Sequence, residues 1–117
     1  MIRWRSILCL SLAAPGGATA DEVPTWREVG QIFVERCVMC HSSQGASKGL
    51  RLDTLDAAIA GSADGAVLIP GDADASELVL RLRGESLPRM PFLSYPLSAD
   101  QIALIIQWVD AGMPEGE

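Results

Sequence analysis

Two thiols and an imidazole fall within five residues, Cys37-Val38-Met39-Cys40-His41, and the chain has little else from which to build a reactive centre. His41 is the only histidine. The third cysteine, Cys9, lies in an N-terminal stretch that reads as removable. Two remaining cysteines cannot supply a disulfide framework, although a single Cys37–Cys40 disulfide is chemically open to them. A zinc centre needs four ligands, and past the leader no other cysteine or histidine is left to complete it. A thioredoxin-like Cys-x-x-Cys opens a helix after a strand. Here the pair closes a helical pattern, and no alternation of strand and helix surrounds it. With 117 residues there is room for one small domain. A core of that size is marginal and often depends on a metal, a disulfide or a cofactor.

The first 20 residues read as a secretory signal peptide. Arg3 and Arg5 give a basic start, residues 7–14 a short apolar run, and Ala18-Thr19-Ala20 a cleavage site. The apolar run is too short to span a bilayer. Cleavage after Ala20 would leave residues 21–117 as the domain. Every acidic residue lies beyond the cut, so losing the two arginines takes the formal net charge from −6 to −8. Such a surface repels nucleic acid and anionic membranes and suits a basic partner. The expected location is the periplasm or outside the cell, with no membrane insertion after cleavage.

Helical signals dominate the chain beyond Ala20. Thr25 with Glu28 forms a capping box, and Val29, Ile32, Phe33 and Cys37 recur at helical spacing, which predicts a helix from about Trp26 to Val38. Gly30 within it suggests a close approach. Residues 42–49 have loop composition. A short helix is expected over 53–60, ended by Gly61. Another is expected from the box at Asp74–Glu77 to Gly84, with Arg81 and Arg83 suited to its C-terminus. Three prolines, Pro88, Pro91 and Pro96, exclude a helix between. Ser98 and Gln101 start the last helix, which carries Ile102, Ile105, Ile106, Trp108 and Val109 to a stop at Gly112 and Pro114. No segment shows a period of two, so the expected fold class is all-α.

Cys-x-x-Cys-His is the attachment signature of a c-type haem. Thiols at i and i+3 on the fraying end of a helix can reach two vinyl groups on one porphyrin edge, and the next residue can turn its imidazole to the iron. One covalent haem c is therefore expected, on Cys37, Cys40 and His41. With no second histidine, bis-histidine ligation within the chain is excluded, and methionine is the usual alternative. Met39 lies inside the attachment motif. Met90 sits in a proline-braced loop that can wrap to the far side. It is the preferred sixth ligand, with Met113, Lys48 or an open site as alternatives. Arg51, Arg89 and Tyr95 are candidates to hydrogen-bond the propionates, and Arg51 is preferred.

On these residues the chain resembles class I cytochrome c, through Phe33-Val34-Glu35-Arg36-Cys37, the haem motif, Met90-Pro91 and a last helix with Trp108. More narrowly, Gly49-Leu50-Arg51-Leu52-Asp53-Thr54, Ile69-Pro70-Gly71-Asp72, Ser76-Glu77-Leu78 and residues 105–112 are similar to the planctomycete-type cytochrome c domain. The resemblance implies a small cytochrome c fold whose first and last helices cross, with Phe33 meeting Ile105 and Trp108, and short helices and loops around one haem. It also implies a backbone carbonyl bonded to the proximal imidazole, from Pro70 or from the Lys48-Gly49 region. Val29 stands where the family often has glycine, which places a shift of the helix crossing among the expectations.

Three functions compete. The first is a one-electron carrier with both axial positions filled. The second is the same chemistry in a subunit bound to a larger dehydrogenase or oxidase. The third is an open-site peroxidase or gas sensor, which would want a distal acid–base residue, usually histidine, and none remains. The preferred reading is a carrier and not an enzyme.

Overall fold

The computed structural model describes residues 22–116, and the leader with its cleavage site lies outside them. Four helices follow in order: α1 (Trp26–Arg36), α2 (Leu55–Ala60), α3 (Glu77–Arg83) and α4 (Ala99–Asp110). Between α1 and α2 a two-stranded antiparallel hairpin pairs β1 (His41–Ser42) with β2 (Gly45–Ala46), His41 opposite Ala46. Short 3-10 turns occupy Ser47–Gly49 and Ala73–Ala75. The chain is mostly helical, as expected, but not purely so. The hairpin has no side-chain alternation to announce it, because two residues per strand are too few to show a period.

The longer helices begin as their sequences dictate. The Thr25 hydroxyl accepts from the Arg27 amide, and Glu28 reaches back to the Thr25 amide at 2.7 Å. Ser98 and Gln101 form the same reciprocal pair on α4. These bonds satisfy amides that a helix start leaves without partners. The third box is different. Asp72, not Asp74, accepts from the Ala75 amide. Ser76 precedes α3 without capping it: its buried hydroxyl donates to the Asp72 carbonyl and accepts from the Ile69 amide.

Helix α1 stops two residues before the expected end. Cys37 has φ −126°, off the helical value, and the Val38 amide turns back to the Phe33 carbonyl. The Cys37 carbonyl then accepts from both Cys40 and His41 amides, at 3.2 and 3.1 Å. The attachment motif is thus a tight turn hung on the end of α1.

The core joins α1 and α4. Val29, Phe33, Ile105, Trp108 and Val109 are fully buried. Trp26, Phe33 and Trp108 form an aromatic trio with centroids 5.7–6.3 Å apart, tilted or edge-on as ring quadrupoles prefer. The close approach at Gly30 is to its own helix: a Cβ there would lie 2.9 Å from the Trp26 ring. The Pro114 carbonyl accepts from the Trp26 amide at 2.9 Å and from the buried Trp108 indole at 3.0 Å. The indole donor is thereby satisfied where water cannot reach it. Across the fold, Asp110 on α4 accepts from the Ala73 amide and holds the turn before α3.

Candidate functional site

A cavity of about 1420 Å³ opens beside this core. It exceeds the roughly 300–1,000 Å³ of ordinary small-molecule pockets. Its lining comes from three stretches, within residues 34–52, 62–67 and 77–94. Cys37, Cys40 and His41 line it, and so does Met90, almost fifty positions later. Leu50, Leu52, Leu78 and Leu82 supply apolar surface. Both cysteines are free thiols. Cys40 is exposed, whereas burial pushes the Cys37 thiol up to about 11.

His41 is fixed at three points. Its amide donates to the Cys37 carbonyl, its carbonyl accepts from the Leu52 amide at 2.8 Å, and its Nδ1 lies 3.1 Å from the Leu50 carbonyl. A carbonyl can only accept, so Nδ1 carries the proton and Nε2 keeps its lone pair. The Leu50 carbonyl is presented by a turn in which Lys48 and Gly49 both adopt positive φ, 57° and 74°. Gly49 permits that conformation without the penalty of a Cβ. The Lys48 carbonyl accepts from the Ala63 amide at 2.7 Å and pins the turn to the rest of the domain.

Met90 is half-buried, and its amide donates to the Arg81 carbonyl at 3.0 Å. The other methionines are placed otherwise. Met39 is 93 % exposed, and Met113 lies in the core, outside the cavity lining. Lys48 does line the cavity. Neither Trp26 nor Trp108 does, and both are core aromatics.

Arg51 is not in the cavity lining. Its guanidinium grips Asp53 through Nε at 3.2 Å and a second nitrogen at 2.9 Å, and the pairing lowers the Asp53 carboxyl from its ordinary value. The pair is local, its members two positions apart in sequence. Arg89 packs over Gly84, and Tyr95 is almost fully exposed. The cations that line the cavity are Arg36, Lys48 and Arg81. Of the two expected sources of a carbonyl for the imidazole, Pro70 and the Lys48-Gly49 region, the bond forms beside the second, at Leu50, and Arg81 is a lining residue that the sequence marks only as suited to a helix end. The Glu77–Arg81 spacing of four did signal an ion pair, which forms at 2.9 Å.

A match to known sequences joins the same residues. The family model of the planctomycete cytochrome C covers residues 37–91, from the first thiol to the proline after Met90. Over these residues the chain is similar to that family. The match supports a c-type cytochrome domain over this stretch, and the family it points to carries covalent haem c and transfers electrons. Helices α1 and α4 fall outside the matched stretch. No curated protein and no solved structure matches the chain.

The residues present fit such a haem. Two unpaired thiols three positions apart, an imidazole with Nε2 free and a large apolar cavity form a suitable donor set. Among the described residues no cluster of three or more His, Cys, Asp or Glu side chains competes as a metal site. None of the described helices is long and apolar enough to cross a membrane.

Proposed function

We propose that this chain is a one-electron carrier with a single haem c, held by thioethers at Cys37 and Cys40 and ligated by His41 and Met90. The observation that carries the reading is the His41–Leu50 bond inside a cavity that Met90 also lines. When bound, the haem supplies the exchange of one electron between ferric and ferrous iron. The chain's own residues do the rest. The Leu50 carbonyl holds the imidazole in one tautomer and orientation and raises its basicity. The leucines exclude water and lower the local dielectric. The Met90 thioether, by closing the sixth position, favours the ferrous state and denies it to peroxide or oxygen.

With that assignment, the fold is a small cytochrome c fold in which α1 and α4 cross, and residues 21–117 form the haem domain behind a cleaved signal peptide of residues 1–20. The location is periplasmic or extracellular. The partner is a redox protein with a basic docking face, drawn by a formal net charge that is negative even for the whole chain.

The test is ligand binding at the iron. Protein matured in a haem-attaching host should show one haem by denaturing mass spectrometry. Its oxidised form should show a near-infrared sulfur-to-iron band, and its reduced form should take up carbon monoxide slowly. Met90→Ala should lose the band and bind carbon monoxide at once. An unchanged spectrum in Met90→Ala would remove Met90 from the iron.

A further inference from the structure

The sixth-ligand candidate hangs on the end of a short helix, and one residue of that helix holds its loop twice, at Met90 and at Pro88. Helix α3 leaves its last carbonyls without intrahelical partners, as every helix does. Here the following loop uses them. The Leu80 carbonyl accepts from the Glu85 and Ser86 amides, and the Arg81 carbonyl accepts from Met90. The Arg81 side chain reaches the same loop. Its guanidinium donates to the Pro88 carbonyl at 3.4 Å and, through Nε, to Glu77 at 2.9 Å. The second Glu77 oxygen accepts from the Ser86 hydroxyl at 3.3 Å. Glu77, Arg81, Ser86 and Pro88 thus form one connected unit, and Glu77 and Arg81 line the cavity beside Met90.

We infer that Arg81 is the positioning residue for Met90, with Glu77 aiming its guanidinium. An isolated exposed pair of this kind contributes little to stability, because ordering two long side chains offsets the attraction. This pair differs in what it is tied to. Each added bond to an already ordered guanidinium costs less side-chain entropy than the first, so the unit restrains the loop more than the pair stabilises the helix. Beyond Met90 the loop is held again, where the Arg36 guanidinium donates to the Tyr95 carbonyl. Met90 is therefore suspended between two arginine anchors, and the nearer one is Arg81. The inference rests on the Met90 ligation proposed above. It adds that the readiness of Met90 to stay on iron is set by a side chain that does not touch the iron.

The experiment uses the haem-loaded full chain and three variants. Arg81→Ala should weaken the sulfur-to-iron band, speed carbon monoxide binding about tenfold, and raise amide exchange of residues 85–92. Arg81→Lys keeps the charge but not the fork and should fall between. Arg83→Ala, which breaks the neighbouring pairs to Asp74 and Glu85 outside the cavity, should change none of the three readouts. A wild type that shows the band, with band, binding rate and exchange all unaltered in Arg81→Ala, overturns the inference. Equal effects from Arg83→Ala also overturn it, because any helix charge would then serve. A wild type without the band, unchanged in Met90→Ala, instead rejects the ligation reading and this inference with it.

Discussion

His41 Nδ1 donates to the Leu50 carbonyl at 3.1 Å, so the one histidine of the chain has a single nitrogen left for a metal. The acceptor is a main-chain group, which no side-chain substitution removes. Its aim depends instead on the turn that precedes it.

Gly49→Ala tests that aim. Gly49 has φ +74°, and a Cβ there would meet the Ala63 amide nitrogen at 3.4 Å. Alanine in that region costs about 1 kcal/mol or more. Urea unfolding should show the loss. The haem-loaded variant should also have a higher reduction potential, because a weaker bond to the imidazole leaves a less basic ligand.

Cys37 carries a pH dependence in the haem-free chain. Its folded pKa of about 11 lies above the ordinary 9.0, chiefly through burial. The folded state therefore holds a proton that the unfolded state has released between these values. Stability attributable to Cys37 is present below pH 9 and is lost as pH rises toward 11. The effect is on the order of 2 kcal/mol, at about 1.36 kcal/mol per unit. Iodoacetamide labelling followed by peptide mapping should modify the exposed Cys40 first and Cys37 appreciably only at high pH.

Trp108→Phe removes the indole donor to Pro114 and shrinks the aromatic trio. The lost hydrogen bond and the small void together should cost about 2 kcal/mol in a thermal melt. The Trp26 amide still occupies the Pro114 carbonyl, so that acceptor is not orphaned.

Much of the fold is legible in the residue pattern, and the features that escape it share a cause. The Thr25 and Ser98 boxes, the Gly84 stop with φ 76° and the apolar faces of α1 and α4 are local signals, and each forms as its sequence implies. The features that escape the pattern depend on which of several partners a side chain takes, or on main-chain atoms. Arg51 reads as a propionate partner from its charge alone, and its pairing with Asp53 through two of its three guanidinium nitrogens is not evident from that charge. The box at Asp74 does not form: Asp72 caps the preceding 3-10 turn through the Ala75 amide, and Ser76, at the start of α3, turns its hydroxyl inward to Ile69. The Leu50 carbonyl has no side-chain signature at all.

The surface charge gives a further expectation for electron exchange. With a basic redox partner, the second-order rate in stopped flow should fall as ionic strength rises, since salt screens the attraction that steers encounter. With an acidic partner the same rate should be lower and should rise with salt.

The Pro114 carbonyl, shared by Trp26 and Trp108, also orders events in time. A chain made from its N-terminus meets this acceptor only after α2, α3 and α4 have been made, so the start of α1 waits for all three before it is locked. Closing so long a loop is entropically costly. The bonds around His41 span four to eleven residues and need nothing from the far end. The thiol-bearing turn can therefore take shape while the helix pair is still open.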